Sequence, residues 1–367
     1  MTSNEVVAFA PATVGNVGVG FDILGHTVRA VGDRVRAKRT AERGVRIAAI
    51  TGTDAALPLE AEKNTAGQAL LSMSQALRLP FGMEISIEKG IPLGSGLGGS
   101  AASAVAAVVA GNALLDAPLS KLELLKFAMQ GEAVASGTVH VDNIAPSLFG
   151  GLVLTVGIDH PRTKQIPVPP QVRCVLVHPH MFLSTREARR ILRKSVDLSD
   201  VVWQTANLAG FITGCYTNDL DMIRDAFHDV IIEPQRQALI PGFKAVKQAA
   251  VSNGALGCSI SGAGPTVFAW CEEPFAEGIR AAMVEAFLEH DLQSDHWISA
   301  IDAEGRVAAV KQSGLFSSGN ATASAYAVSS AVRRLAASVA ARSWPPPCSA
   351  MQRTAFCCSV VKARPTT

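Results

Sequence analysis

The sequence has few charged and few aromatic residues: of its 367 residues, 17% are charged and 5% are aromatic, whereas 48% are hydrophobic. This composition excludes disordered and collagen-like chains and indicates a globular protein. The longest apolar stretch, Ala101 to Leu115, is interrupted by Ser103, Gly111 and Asn112, so that no run reaches about 18 apolar residues. A membrane-spanning helix is therefore not expected.

An export signal and a disulfide framework are also lacking. No basic segment opens the chain, and Glu5 and Pro11 interrupt its first apolar residues. The cysteines are seven in number, which is odd, and none has the CxxC spacing of a metal site. They are Cys174, Cys215, Cys258, Cys271, Cys348, Cys357 and Cys358. We therefore expect free buried thiols and a cytoplasmic protein.

Acidic residues are absent after Glu304. From Gly305 onwards there are eight basic and no acidic residues, which leaves residues 1–304 with 25 basic against 31 acidic ones. A basic tail can bind nucleic acid or an acidic membrane surface. This one has a single pair of adjacent arginines, Arg333-Arg334, and no aromatic residues interleaved with basic clusters. We expect neither partner, and we interpret residues 311–367 as a poorly ordered extension.

Short β-branched runs and helical patterns are mixed along the rest of the chain, which predicts an α+β fold. The first half has predicted strands at 6–10, 27–37, 45–50 and 83–87, and predicted helices at 64–77, 100–115 and 120–136. The second half has predicted strands at 172–177, 266–270 and 297–301, and predicted helices at 185–194, 201–216, 219–230, 242–253 and 274–290. Proline-rich Ile166–Gln171 lies between them. We predict one domain over residues 1–165 and a second over 166–310.

A glycine-rich loop lies between the strand ending at Ile87 and an Ala/Val-rich helix. Glycines let backbone N–H groups approach an anion, and the helix N-terminus adds its positive dipole end. The loop lacks the Gly-Lys-Ser/Thr ending of a Walker A motif, so a nucleoside triphosphate bound without that lysine is predicted. The predicted nucleotide-binding residues are Pro92, Leu93, Gly94, Ser95, Gly96, Leu97, Gly98, Gly99, Ser100, Ala101 and Ala102.

Transfer of a phosphoryl group from a nucleotide requires Mg²⁺ to neutralise phosphate charge. Ser100 can offer a hydroxyl ligand at the helix start, and Glu132 falls on the apolar face of the next predicted helix with Leu125 and Met129. A carboxylate on that face costs free energy unless a cation or a donor meets it. We predict Ser100 and Glu132 as metal ligands; the alternative is that Glu132 reaches solvent at the edge of the core.

Two polar segments can recognise a substrate. Pro11–Asp22 presents Asn16 and Asp22, and Thr138–Pro146 places three polar side chains together: His140, Asp142 and Asn143. Taken singly, each segment is typical of a structural polar turn.

A second glycine loop, Gly257–Thr266, comes late in the chain and can pack on the first loop or touch phosphate. The helix that contains Arg189 has a basic face, and Arg236 follows Glu233-Pro234. Such faces are usually solvated, but one or two arginines here can clamp a carboxylate.

Four segments in this order resemble the GHMP small-molecule kinases: Pro11–Asp22, Pro92–Ala102, His140–Pro146 and Ser261–Thr266. The His-x-Asp-Asn-x-Ala-Pro segment resembles the homoserine kinases among them, and the likeness covers about residues 5–305. It implies a ribosomal-protein-S5-like N-terminal domain, a ferredoxin-like C-terminal domain and a homodimer. The implied reaction is ATP-dependent phosphorylation of the L-homoserine hydroxyl, a step toward threonine.

The resemblance also implies site residues, position by position. Ser100 and Glu132 match the magnesium ligands, and Asn143 lies where the family places a residue near the reacting hydroxyl. The positions that match the substrate site are Asn16, Asp22, His140, Asp142, Thr185, Arg189 and Arg236. One departure is Gly99, where the family usually has Ser; it keeps the backbone N–H, so we expect altered nucleotide affinity and retained activity.

A catalytic base is not evident, because no lysine matches the Asp/Lys pair of related kinases. We hypothesise that Asn16, Asp142 and Asn143 position the substrate, while Mg²⁺ and the helix N-terminus stabilise the transferring phosphoryl group. Two alternatives stay open: a GHMP kinase acting on another small hydroxylated metabolite, and a non-catalytic ligand-binding member of the fold.

Overall fold

The computed structural model describes residues 5–136, 139–157, 161–301 and 308–311. Its first sheet has the strand order β11-β1-β2-β4-β3, with β5 paired to β2 and β6 paired to β5. All pairs in this sheet are antiparallel except β3–β4, which is parallel. Its strands are β1 (Glu5–Gly15), β2 (Leu24–Thr40), β3 (Val45–Thr51), β4 (Gly82–Glu88), β5 (Leu152–Val156), β6 (Arg162–Ile166) and β11 (Ala308–Lys311).

Three long helices and one short helix accompany this sheet: α1 (Thr65–Leu77), α2 (Gly99–Ala113), α3 (Lys121–Ser136) and α4 (Val141–Phe149). Helix α2 packs on β1 and β2, and ten of its 15 residues are buried, because its alanines and valines let the backbone approach the sheet closely. Helix α1 begins at a well-capped end, where the Asn64 side chain accepts hydrogen bonds from the N–H groups of Ala66 and Gly67.

The second sheet is antiparallel throughout and has the order β10-β7-β9-β8. Its strands are β7 (Val172–Pro179), β8 (Gly257–Ile260), β9 (Val267–Glu272) and β10 (Ser294–Ala300). The helices of this half are α5 (Thr185–Arg190), α6 (Leu198–Thr217), α7 (Leu220–Ala226), α8 (Glu233–Arg236), α9 (Phe243–Ser252) and α10 (Ala276–Leu288). Helices α9 and α10 cover one face of the sheet and close an apolar core.

The two halves share an aromatic cluster. Phe211 of α6 and Phe227 pack on Trp270 of β9, with ring centroids 5.1 to 5.8 Å from it. The indole N–H of Trp270 donates to His26 Nε2 of β2 at 3.1 Å. Burial lowers the pKa of His26 to about 4, so this ring is neutral and can accept the bond.

The α+β prediction is confirmed, and most predicted helices and strands are present. Several segments differ, and strands β5, β6 and β8 and helix α8 were not predicted. Strand β1 continues through Pro11 to Gly15, past its predicted end. Residues 141–149 form helix α4 with Pro146 inside it, where a polar turn was predicted. Residues 308–311 pair with β1 in the first sheet. Within the described residues no helix has the length and apolar character needed to traverse a bilayer; most of the predicted tail lies outside them.

Candidate active site

The glycine-rich loop connects β4 to α2, and its conformation requires glycine at several positions. Gly94, Gly96 and Gly98 have φ angles of 66°, 77° and 67°, in the left-handed region that favours glycine. A Cβ at Gly98 would lie 2.2 Å from Thr13 Oγ1, and one at Gly96 would lie 2.4 Å from the carbonyl oxygen of Ser261. The loop therefore needs glycine for close packing as well as for its backbone conformation.

The second glycine loop packs on the first one. Ser261 Oγ donates to the carbonyl of Gly96 at 2.8 Å, and the N–H of Thr266 donates to the carbonyl of Ser95 at 3.1 Å. From β1, the N–H of Thr13 donates to the carbonyl of Leu97 at 3.1 Å. The N–H and C=O of one peptide point in opposite directions. Because these three carbonyls are held by hydrogen bonds within the protein, the N–H groups of the same peptides point away from the groups that hold them. This arrangement, with the start of α2, suits an anion.

Ser100 and Glu132 meet at the start of α2. Ser100 Oγ donates to Glu132 Oε2 at 2.6 Å, and the other Glu132 oxygen lies 3.3 Å from His140 Nδ1. The Glu132 side chain is 5% exposed, so it does not reach solvent as the alternative required. Burial lowers the pKa of His140, but the charges of Glu132 and Asp142 outweigh it and raise this pKa overall.

A polar cavity opens beside the loop, and it brings together every residue predicted for the substrate site. Its lining is Asn16, Asp22, Gly96, Gly98, Glu132, His140, Asp142, Asn143, Thr185, Arg189, Arg236, Gly262 and Ala263. A second groove along the loop shares Gly96, Gly98, Glu132, His140 and Thr185 with it, so the two spaces adjoin. This groove is also lined by Pro92, Leu93, Gly94, Ser95, Gly99 and Ser100. By contrast, Leu97, Ala101 and Ala102 are buried in the core.

Helix α4 presents Asp142 and Asn143 to the cavity. The N–H of Asn16 donates to Asp142 Oδ2 at 3.2 Å, and Thr13 Oγ1 donates to Asn143 Oδ1 at 2.9 Å. Asp142 Oδ1 is buried and has no hydrogen-bond partner among the described residues. Burial, together with the charge of Asp22, raises the pKa of Asp142 to about 6. The free oxygen is an acceptor that a bound ammonium or hydroxyl can satisfy.

Two arginines reach the cavity from the second half. Arg189 of α5 holds both carboxylate oxygens of Asp22 through Nη2, at 2.8 and 3.0 Å, while its buried Nε has no hydrogen-bond partner among the described residues. Arg236 of α8 is 3% exposed and donates to the backbone carbonyls of Ala188 and Gly262. Burial and the charge of Arg189 lower the pKa of Arg236 to about 10, which leaves it charged at neutral pH.

Arg236 makes no ion pair with an acidic side chain in the part of the chain that the structure describes. A buried guanidinium without a carboxylate partner is costly and is a ready site for an anionic ligand. Arg189 and Arg236 thus supply charged donors to this cavity, and Asp22 and Asp142 supply acceptors, with Arg189 and Asp22 paired to each other.

Two features near the loop were not predicted from the sequence: a third pocket and a buried ion pair. The space is a largely apolar pocket next to Ser100, lined by Ile50, Leu57, Pro58, Lys63, Asn64, Thr65, Ile87, Lys89, Leu93 and Ser103. The pair is Asp33 and Lys89, beneath the glycine loop. The sequence did contain one signal for this pair. Asp33, Val35 and Ala37 alternate along β2 and so point to the same buried face, where a carboxylate is unexpected.

The chain matches known proteins along nearly all of its described part. The family of GHMP kinases N terminal domains matches residues 64–151, and the GHMP kinases C terminal family matches residues 211–290. The homoserine kinase of Xanthomonas campestris pv. campestris (strain B100) is 51% identical over 300 residues, which cover 82% of this chain and 92% of that protein. The chain belongs to the homoserine kinases of the GHMP kinase family.

Further members of the family agree with this assignment. The homoserine kinase of Xylella fastidiosa (strain M12) is 49% identical over 305 residues, covering 83% of this chain and 94% of that protein. The crystal structure of homoserine kinase from Cytophaga hutchinsonii ATCC 33406 superposes with a TM-score of 0.82 at 43% identity, covering 84% of this chain and 98% of that one. The predicted GHMP kinase fold is therefore confirmed.

Proposed function

We propose that this GHMP kinase transfers the γ-phosphoryl group of ATP to the side-chain hydroxyl of L-homoserine, which yields ADP and O-phospho-L-homoserine for threonine biosynthesis. The single observation that supports this best is the cavity beside the glycine loop. It combines the unpaired Nε of Arg189 and the buried guanidinium of Arg236 with an unpaired carboxylate oxygen of Asp142, and a free amino acid offers a carboxylate and an ammonium group to match.

For ATP, we assign the phosphates to the glycine loop and the start of α2. The adjoining apolar pocket, next to Ser100, suits an adenosine group, since apolar walls with a few polar atoms are typical of such pockets. The loop groove and the polar cavity share lining residues, which supports a terminal phosphate bound next to the acceptor.

Mg²⁺ fits the residues at the start of α2. Among the described residues no group of three acidic, histidine or cysteine side chains is arranged for a metal. Mg²⁺ does not need such a group, because it commonly binds one or two carboxylates together with substrate phosphates. Ser100 Oγ and the buried Glu132 carboxylate, 2.6 Å apart, are hard oxygen ligands of this kind. When bound, Mg²⁺ would neutralise charge on the β- and γ-phosphates.

For homoserine, we assign the carboxylate to Arg236 and the free Nε of Arg189, with Thr185 beside them. The ammonium group then lies toward Asp22 and Asp142, while His140, which contacts Glu132, lines the same cavity. Asn143 offers its amide nitrogen to the reacting hydroxyl, because its amide oxygen already accepts from Thr13. In this arrangement Asn16 is a positioning residue: its N–H holds Asp142 and its side-chain oxygen accepts from the N–H of Asp22 at 3.0 Å.

In the reaction, the hydroxyl oxygen forms a bond to the γ-phosphorus while the bond from that phosphorus to the β,γ-bridging oxygen breaks. ADP leaves with the bridging oxygen, and the hydroxyl proton goes to solvent. We propose that positioning by Asn16, Asp142 and Asn143 supplies most of the rate without a dedicated base. A pH dependence of kcat that disappears on replacement of one carboxylate would overturn this part.

The test is ADP release with Mg-ATP and four acceptors: L-homoserine, L-serine, mevalonate and galactose. We expect turnover with homoserine, and a loss of at least about 100-fold in Glu132→Gln, since a charged ligand is removed. Glu285→Gln, on the exposed side of α10, is the matched control and should keep wild-type activity. Turnover only with mevalonate or galactose would favour the other-acceptor alternative. Bound ATP without any turnover would favour the non-catalytic one.

Two further expectations accompany this function. A homodimer predicts an elution volume in size-exclusion chromatography that corresponds to about twice the 38.4 kDa of one chain. A cytoplasmic location predicts recovery of activity in the soluble fraction of the producing cell.

A further inference from the structure

A buried ion pair lies directly beneath the glycine loop. Asp33 is on β2 and Lys89 follows the last residue of β4; their side chains are 0% and 4% exposed. Lys89 Nζ contacts Asp33 Oδ2, and it also donates to the carbonyl of Gly99 and to Ser103 Oγ, both at 2.9 Å. Ser103 Oγ in turn lies 2.6 Å from Asp33 Oδ2.

The same pair reaches both ends of the loop. At the first end, Asp33 Oδ1 accepts from the N–H groups of Gly90 and Ile91, at 3.0 and 3.2 Å. At the second end, Lys89 holds the carbonyl of Gly99, which is the first residue of α2. The Gly99 carbonyl and the Ser100 N–H belong to one planar peptide, so fixing the carbonyl also fixes the direction of that N–H.

A buried ion pair contributes little net free energy to the stability of a fold. Removing two charges from water costs several kcal/mol per ion, and apolar residues of similar volume are often as stable or more so. Among the described residues, the side-chain hydrogen bonds of the pair go to the loop, to α2 or to the pair itself. Its location therefore indicates a role in setting the position of the phosphate-binding backbone.

We propose that Asp33 and Lys89 are positioning residues for the nucleotide phosphates: the pair ties the two ends of the glycine loop together and so sets the direction of the N–H groups at the start of α2. This inference rests on the proposed binding of ATP at the loop, and it does not depend on which acceptor is phosphorylated. Lys89 also lines the apolar pocket, so the test has to separate positioning from direct contact with the nucleoside.

The test uses two variants. Lys89→Met keeps an unbranched chain of similar length and leaves the Asp33 charge without its cation. The double variant Asp33→Asn/Lys89→Met removes both charges and cannot hold the Gly99 carbonyl. We expect the single variant to unfold at lower urea concentration and the double variant to recover most of that loss, because its charge balance is restored.

Affinities for ATP, ADP and adenosine are then measured by equilibrium titration, together with KM for homoserine. We expect the double variant to bind ATP and ADP at least about tenfold more weakly, with adenosine affinity and KM for homoserine within about twofold of wild type. The matched control is Arg34→Met/Glu88→Gln, a solvent-exposed ion pair at the neighbouring register position of the same strands. Its nucleotide affinities should equal those of wild type.

Three results would overturn the proposal. ATP affinity within about twofold of wild type in the double variant would make the pair purely structural. An equal loss for adenosine would mean direct contact with the nucleoside, and an equal loss for homoserine would mean general distortion of the site. A wild-type protein that binds ATP but phosphorylates none of the acceptors would refute the proposed function. The nucleotide affinities would still test the role of Asp33 and Lys89, because equilibrium titration does not require turnover.

Discussion

Replacing Asp142 by Asn should strongly lower activity and at the same time stabilise the protein at neutral and alkaline pH. Asp142 is buried, and one of its carboxylate oxygens has no hydrogen-bond partner among the described residues. Its ionised form is therefore poorly solvated in the folded protein. Asn has nearly the same shape and can still accept the hydrogen bond from the N–H of Asn16, but it carries no charge.

The magnitude follows from the pKa. Burial, with the charge of Asp22, raises the pKa of Asp142 from 3.8 to about 6, a shift of about two units. Each unit corresponds to about 1.4 kcal/mol, so the ionised side chain costs the folded state about 3 kcal/mol. Because the pKa of Asp142 is raised in the folded state, the wild type does not bear this cost below pH 3.8, where the carboxyl is protonated in both states. The cost develops as the pH rises and is complete above about 6.

The assay is urea unfolding of wild type and Asp142→Asn at pH 5 and pH 8. We expect the variant to be more stable by about 3 kcal/mol at pH 8 and by roughly half of that at pH 5, where the wild-type carboxyl is still mostly protonated in the folded state. Homoserine-dependent kcat/KM should fall by at least about 100-fold, because the substrate loses a charged acceptor. Asp54→Asn, on an exposed loop, is the control and should change neither quantity.

The reasoning would be refuted by a variant that is no more stable than wild type at pH 8, or whose stability advantage does not increase between pH 5 and pH 8. Either result would mean that the Asp142 carboxylate is well solvated in the folded protein. Retained homoserine turnover would separately remove Asp142 from the substrate site.

Three further predictions concern other parts of the same structure. Gly25→Ala should lower the free energy of unfolding by about 3 kcal/mol and remove most of the activity, since the new Cβ would lie 1.7 Å from the carbonyl oxygen of Asp142. Gly278→Ala on helix α10 is the control: its Cβ would meet no atom within 4 Å, so it should be neutral or stabilising in the same urea assay. Arg236→Lys should raise KM for homoserine about tenfold or more with KM for ATP unchanged in steady-state kinetics, because Lys cannot replace a bidentate guanidinium. The pKa of His26 is lowered to about 4, so stability should fall by about 3 kcal/mol as the pH drops from 6.5 to 4, and His26→Gln should remove that part of the pH dependence of unfolding.

Local sequence was sufficient for the elements whose signals lie within a few residues of one another. The helix at 65–77 has its Asn64 cap, and the glycine loop has its three left-handed glycines next to the start of α2. The α+β class followed from the same periodicities. Helix α4 was missed because Pro146 and the polar residues around it are typical of a turn, whereas tertiary packing against β1 and β2 buries Asp142, Asn143 and Pro146.

The resemblance to a known family named residues of the polar cavity that their spacing in the sequence could not bring together. Asp22 and Arg189 are 167 positions apart, and they meet only because α5 lies over the loop that follows β1. Arg236 is a basic residue in an ordinary helical segment until the fold buries it beside Gly262. Periodicity predicts which face of a helix is apolar, but it does not predict which distant segment will cover a charge.

The sequence by itself determined the glycine loop, the α+β class and the family, since each depends on local conformation or on ordered motifs. Only the tertiary structure decided which charges are paired. It joined Asp33 to Lys89 beneath the loop, and it left Arg236 without an acidic partner among the described residues. The physical reason is that the cost of a buried charge depends on what surrounds it in space, and residues far apart in the chain supply those surroundings.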